Sequence, residues 1–236
     1  MGRLTRPVLL SLFLPLAVAL SCWIATPPLF AAQVDGFVIE QKSLVVGEQS
    51  VTVSAEGLRC AGEKVVLVAR APDWTAFLFN AEKGLIFSAD AAHFWGYKTP
   101  GAKVAPNMAV KPLAARGASR HQGINTAEYR SPLAFVQRMV SQKHSGDVAA
   151  HEPLDIRYRV FNRLGMPGAA GKLLSRLYRV PVKQGLPAGL TFHTVSGDQV
   201  TYLETSSIRR SRVDEKLFVP PGELRAVKSV AQLFAD

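Results

Sequence analysis

The chain has 236 residues, of which 48% are hydrophobic and 19% charged, and its formal net charge is +10. This is the composition of an ordinary globular protein and excludes an intrinsically disordered chain, and the length allows one domain with a substantial core. A basic surface attracts polyanions, which include nucleic acid, anionic lipid headgroups and acidic cell-wall polymers.

The first 32 residues have the layout of a secretory signal peptide. Arg3 and Arg6 form a basic start, residues 8–24 are apolar with one proline, and small residues follow. Two alternatives stay open. The apolar run is at the short limit for a membrane span and would then be an uncleaved anchor, or Cys22, in a lipobox-like context, would carry a lipid. All three predict a domain outside the cytoplasm, in the periplasm or secreted.

Short β-prone runs separated by turn residues follow from residue 33 onward. Residues 65–95 show this pattern most clearly, because Pro72 and Gly84 separate three apolar runs and so predict a β-meander. Residues 155–161 alternate apolar and polar side chains, which is typical of a half-exposed strand. Sequential hairpins of this kind indicate an antiparallel sheet.

Residues 98–126 interrupt the strand pattern. They contain prolines, glycines and basic side chains, among them Arg116, Arg120 and His121, without a sustained period. So long a segment without periodicity predicts a long basic loop.

Helices are predicted in the second half of the chain. Ser131 and Pro132 are typical of an N-cap and a first helical position, residues 172–180 have one apolar and one basic face, and residues 227–234 suggest a short closing helix. The predicted fold class is therefore mainly β (α+β): a curved antiparallel sheet of about ten strands covered by two or three helices, in one domain over residues 33–236.

No catalytic or metal-binding signature stands in the sequence. The five histidines are not at metal-ligand spacing, and no nucleophile-elbow motif is present. Residues 165–172 resemble a phosphate-binding loop, but Met166 stands where that motif needs glycine and Leu173 where it needs Ser or Thr. We therefore predict no enzyme, no metal and no cofactor. Cys60, the lone cysteine of the expected mature chain, is predicted to be buried and inert.

Aromatic residues concentrate in and around the meander. A curved sheet covered by helices leaves space for apolar ligands when one face is incompletely filled. The alternative is an ordinary packed core. The candidate cavity residues are Val66, Trp74, Phe77, Phe79, Phe87 and Trp95.

A second candidate site is the basic cluster Arg209, Arg210 and Arg212. These side chains are suited to anionic headgroups at a membrane surface, and the alternative is a solvated strand or turn. Aromatic residues for base stacking are not interleaved with them, so nucleic acid is not predicted as a partner.

Three segments together resemble the periplasmic lipoprotein-carrier (LolA/LolB-like) superfamily. They are residues 65–74 (VVLVARAPDW), the hairpin 79–87 (FNAEKGLIF) and the late segment 217–222 (LFVPPG). The resemblance implies an open, strongly curved half-barrel covered by helices that holds acyl chains or lipidated proteins.

The resulting hypothesis is an exported, non-enzymatic protein that binds a lipid or a lipidated partner in an apolar cavity, with basic residues at an anionic membrane surface. The alternative is an envelope scaffold or interaction protein with a filled core, which contacts a protein partner or an anionic polymer through its basic loops.

Overall fold

Twelve β-strands and two α-helices make up the regular structure of the computed structural model, which describes residues 32–94 and 107–235. The strands are β1 (Gln33–Ser43), β2 (Gly47–Ser54), β3 (Gly57–Ala61), β4 (Val66–Arg70), β5 (Ala76–Asn80), β6 (Leu85–Ala89), β7 (Ala114–His121), β8 (Ile124–Arg130), β9 (Pro153–Phe161), β10 (Leu186–Thr194), β11 (Gln199–Asp214) and β12 (Arg225–Ala226). The α-helices are α1 (Leu133–Ser145) and α2 (Gly168–Leu177), and three 3-10 helices lie at Met108–Val110, Glu215–Phe218 and Val230–Leu233. The predicted signal segment, including Cys22, lies outside the described residues.

All twelve strands belong to one curved, open sheet with the order β12-β6-β5-β4-β3-β2-β1-β11-β10-β9-β8-β7. Neighbouring strands are antiparallel except for β12, which runs parallel to β6. The long β1–β11 pair joins the two halves of the sheet. The predicted fold class, mainly β with a curved antiparallel sheet under helices, is confirmed.

The predicted meander is formed by β4, β5 and β6. Leu67 pairs with Leu78, and Leu78 pairs with Phe87, so these three side chains share the face that carries the main core. Because successive strand residues point to opposite faces, Val66 and Phe79, which also pair with each other, lie on the other face.

Helix α2 covers the main core. Its Leu173, Leu174 and Leu177 are at most 1% exposed and belong to the same cluster as the inward-facing strand residues. A Cβ on Gly171 would stand 2.2 Å from the carbonyl oxygen of Gly185, so the helix approaches that backbone as closely as only glycine permits. Residues 168–172 of the segment that resembles a phosphate-binding loop thus form the start of α2.

A buried polar network crosses the core beneath α2. The Tyr178 hydroxyl donates to Gln41 Oε1 at 2.7 Å, and Gln41 Nε2 donates to Thr205 Oγ1 at 2.9 Å. The Cys60 thiol donates to Gln49 Oε1 at 3.2 Å. These bonds satisfy polar groups whose burial would otherwise cost free energy.

The prediction of a loop over residues 98–126 is wrong in its described part. Strand β7 and the start of β8 occupy most of it and form a hairpin through Gln122 and Gly123, whose φ angles are 50° and 75°, a left-handed pair typical of two-residue hairpin turns. The strand was missed because β7 is largely exposed at the sheet edge, and therefore lacks the apolar alternation by which strands are recognised. Residues 98–106 lie outside the described part.

One smaller prediction is also wrong. Ser131 does not cap α1; its hydroxyl donates to Leu154 O and accepts from Ile156 N, which fixes the start of the helix against β9. The short closing helix predicted over residues 227–234 is present as the 3-10 helix Val230–Leu233.

Within the described residues, no helix has the length and apolar character needed to cross a bilayer.

Candidate functional site: a cleft beside strands β1 and β11

The candidate site begins with the register of two paired strands. Phe37 of β1 stands opposite Arg210 of β11, and Asp35 stands opposite Arg212. Because residues of the same parity share a face, these four side chains lie on one side of the β1–β11 pair. Phe37 belongs to the main core, so this is the side on which the core lies.

The segment between β9 and α2 supplies the opposite wall of a cleft. Leu164 and Met166 of this segment pack against the main core and face the two strands. The cleft has a volume of about 480 Å³, within the range of roughly 300–1,000 Å³ that is common for small-ligand sites. Its lining residues are Asp35, Gly36, Phe37, Leu164, Met166, Arg210, Ser211 and Arg212.

The two arginines of the cleft have different surroundings. Arg212 Nε lies 3.7 Å from Asp35 Oδ1, and Arg212 Nη2 donates to Gln33 O at 3.1 Å. The Arg210 guanidinium carbon lies 5.7 Å from the ring centroid of Phe37, a cation–π contact. Arg210 is exposed and has no ion pair among the described residues. Its positive charge is therefore available to an anionic group, and the Phe37 ring beneath it supplies an apolar surface.

The third predicted arginine is not part of this cleft. Arg209 pairs with Val38, so its side chain lies on the opposite face of the sheet from Arg210. The structure thus brings together two members of the predicted basic cluster and separates the third. The cluster itself is part of one continuous strand, β11.

The predicted apolar set is divided between several places. Phe87 lies on the core face with Leu78, whereas Val66, Phe77 and Phe79 lie on the other face. Trp74 precedes β5 and has a φ of 55°. Trp95 lies outside the described residues. None of the described members of this set lines the cleft.

Sequence reasoning missed the apolar side of the cleft. Phe37 lies in one of the short β-prone runs that follow residue 33, but its neighbour across the sheet is more than 170 positions away in the sequence. Leu164 and Met166 lie beside a glycine-rich segment whose local pattern carries no sign of what it packs against. The one available signal was the mixture of Leu, Met and Gly just before an amphipathic helix.

Cys60 and His121, which lie outside the cleft, are among the groups with shifted pKa values. Burial raises the pKa of the Cys60 thiol to about 12, so the thiol is protonated and unreactive at neutral pH. Partial burial lowers the pKa of His121, and the nearby Arg159 charge lowers it further. No group of three or more metal-ligating side chains occurs among the described residues.

No protein-family model matches the chain, and no curated protein matches it in sequence. Similar solved structures include an uncharacterised conserved protein of Thermus thermophilus, with 9% identity and a TM-score of 0.39 over 84% of this chain and 91% of that one. Another is MucB, with 12% identity and a TM-score of 0.38 over 84% of this chain and 60% of MucB.

The MucA/MucB complex of Pseudomonas aeruginosa is also similar, with 10% identity and a TM-score of 0.33 over 84% of this chain and 58% of that one. The chain thus spans about 60% of the length of MucB. At these identities and TM-scores the similarity assigns no function.

Proposed function

We propose that this protein is an exported, non-enzymatic binding protein that holds an anionic amphiphile, a lipid with an acidic head and an acyl chain, in the cleft beside β1 and β11. The observation that carries the proposal is the position of Arg210, whose charge has no carboxylate partner among the described residues and lies over the ring of Phe37. A lipid with an acidic head and an acyl chain needs a positive charge beside an apolar surface, and Arg210 and Phe37 supply these two features.

The chemistry of the cleft supports both parts of such a ligand. A guanidinium binds a carboxylate or a phosphate through two parallel hydrogen bonds. Phe37, Leu164 and Met166 offer apolar surface to the chain, and each CH₂ group removed from water contributes roughly 0.8 kcal/mol. Met adapts its shape to irregular ligands.

The ligand lies in the cleft in this proposal, and not under α2. Side chains between α2 and the sheet, such as Leu173, Leu174 and Tyr158, are each at most 1% exposed. This burial favours a shallow site beside the core over the deep cavity that the sequence suggested. The meander residues then contribute to stability.

A titration with a fluorescent anionic amphiphile tests the proposal. Dansyl-labelled undecanoic acid and its methyl ester are titrated into the purified protein. We expect the acid to bind more tightly, and Arg210→Gln to weaken its binding by at least about tenfold, because a charge-assisted hydrogen bond contributes about 1.5–3 kcal/mol. Binding of the methyl ester, which lacks the charge, is expected to stay the same.

Arg209→Gln is the matched control. It removes the same charge from the adjacent position, but on the opposite face of the sheet, and is expected to leave both affinities unchanged. Equal losses from the two variants would contradict the proposal, because they would show an effect of net charge alone. Absence of binding to either probe would contradict it as well.

A further inference from the structure

Strand β7 (Ala114–His121) forms one end of the sheet, and we propose that this edge binds an extended acidic peptide, which joins the sheet as an additional strand. Among the described residues the one strand paired with β7 is β8. Backbone N–H and C=O groups along the other side of β7 therefore point outward, and extended peptides bind such edges through main-chain hydrogen bonds. This inference is independent of the cleft.

The two ends of the sheet differ in the length of their outer strands. At the other end β12 has two residues, and it is held by Arg225 N donating to Gly84 O and Val227 N donating to Ile86 O, both at 2.8 Å. Short outer strands offer little to a partner. Strand β7 has eight residues with one bulge between Ala115 and Gly117, and at roughly 3.4 Å per residue it spans at most about 27 Å. It is the edge with room for a peptide.

The hairpin that carries β7 is held in place at its tip. Gln122 Nε2 donates to Thr205 O at 3.2 Å, and the ring of His121 lies 6.1 Å from that of Phe161. Ser119 and Thr126 share a hydroxyl hydrogen bond of 2.8 Å between β7 and β8. An edge already fixed by these contacts needs little further ordering when a peptide binds, which favours affinity.

The charges of β7 select the partner. Arg116 and Arg120 are exposed, and the strand has no acidic residue. Its remaining exposed positions are small: Ala114, Ala115, Gly117 and Ala118. Charges on an outer strand oppose pairing with strands of the same sign, so a second copy of β7 is disfavoured. An acidic strand gains cross-strand ion pairs instead.

A pair of synthetic peptides tests this proposal on the full chain. The acidic probe is fluorescein-labelled Thr-Val-Glu-Val-Glu-Val-Thr, and the basic probe has Lys in place of each Glu. We expect the acidic probe to bind at least about tenfold more tightly than the basic one. Replacing the central Val of the acidic probe by Pro, which cannot donate a backbone hydrogen bond, is expected to weaken binding by a similar factor.

Reversing the charges of β7 distinguishes binding at this edge from general electrostatic attraction to a basic protein. The double variant Arg116→Glu/Arg120→Glu is expected to reverse the preference, so that the basic probe binds better. Lys64→Glu/Lys228→Glu makes the same change of charge at exposed sites in other parts of the chain, and it is expected to keep the acidic preference. Hydrogen exchange of β7 amides is expected to slow when the acidic probe binds.

Three outcomes would overturn this proposal. One is equal binding of the proline-containing probe, and another is unchanged preference after reversal of Arg116 and Arg120. The third is a concentration-dependent dimer that protects the same amides without any probe, because it would identify a second copy of the chain as the occupant. Each outcome is independent of amphiphile binding in the cleft.

Discussion

Tyr178 shows how a single buried side chain holds the core in register. Its hydroxyl donates to Gln41 Oε1, and Gln41 in turn donates to Thr205, so three distant parts of the chain are tied together. Buried hydrogen-bonded groups of this kind contribute little net free energy when complete, but cost much when one partner is missing.

Tyr178→Phe is therefore expected to lower the free energy of unfolding by about 1–3 kcal/mol, because it removes the donor to a buried amide oxygen. Urea denaturation followed by circular dichroism measures the change. Tyr129→Phe is the control, since the Tyr129 hydroxyl makes no hydrogen bond among the described residues, and it should cost less than about 0.5 kcal/mol. Equal losses from both variants would refute the role of the network.

Helix α2 can pack closely on the neighbouring backbone because one of its residues is a glycine. Gly171 lies against the carbonyl oxygen of Gly185, where a Cβ would stand at 2.2 Å. Gly168, in the same helix, would have no atom within 4 Å of its Cβ. Gly171 and Gly168 thus lie in the same helix, but a Cβ would meet neighbouring backbone at Gly171 and open space at Gly168.

Gly171→Ala is expected to destabilise the protein by about 1–3 kcal/mol, because the backbone of the neighbouring segment must move to admit the methyl group. Gly168→Ala is expected to be neutral or to stabilise by up to about 1 kcal/mol, since it restricts the unfolded chain without a clash. Thermal and urea denaturation of both variants provide the measurement. A stabilising Gly171→Ala substitution would show that α2 does not approach Gly185 as described.

The β7–β8 hairpin gives the protein a specific pH dependence. Burial and the Arg159 charge lower the pKa of His121 below its ordinary value of 6.5. The unfolded chain then binds more protons than the folded one as the pH falls below about 6.5, so the free energy of unfolding decreases with acidification in that window. Above about pH 6.5, His121 adds no pH dependence to the free energy of unfolding.

Urea denaturation at about pH 8 and about pH 5.5 tests this dependence. His121→Gln is expected to reduce the decrease in the free energy of unfolding between the two pH values. His193→Gln, which makes the same change at an exposed position, is the control variant. Identical pH dependence of the wild-type protein and His121→Gln would contradict the assignment.

At the scale of the whole molecule, local patterns in the sequence determined the fold class better than the site. Alternation in β9 and the turns of the meander identified strands directly, since those features are local. Strand β7 was missed because its exposed alanines and arginines carry no apolar period. The cleft was missed because it depends on a pairing between β1 and β11 that no local pattern encodes.

The arginine cluster illustrates the same limit. The residue types at 209, 210 and 212 predicted contact with anions, and that prediction remains to be tested. Their division between two faces followed only from the observed register of Phe37 against Arg210. A shift of one residue would have placed Arg209 in the cleft and Arg210 outside it.

Photo-crosslinking with a diazirine-bearing fatty acid, followed by mapping of the labelled residues by mass spectrometry, tests directly whether the cleft binds an amphiphile. We expect labels on the walls of the cleft, at Phe37, Leu164 and Met166, and loss of most labelling when unlabelled fatty acid competes. Labels concentrated on the meander residues Phe77 and Phe79, or no competable label at all, would contradict it.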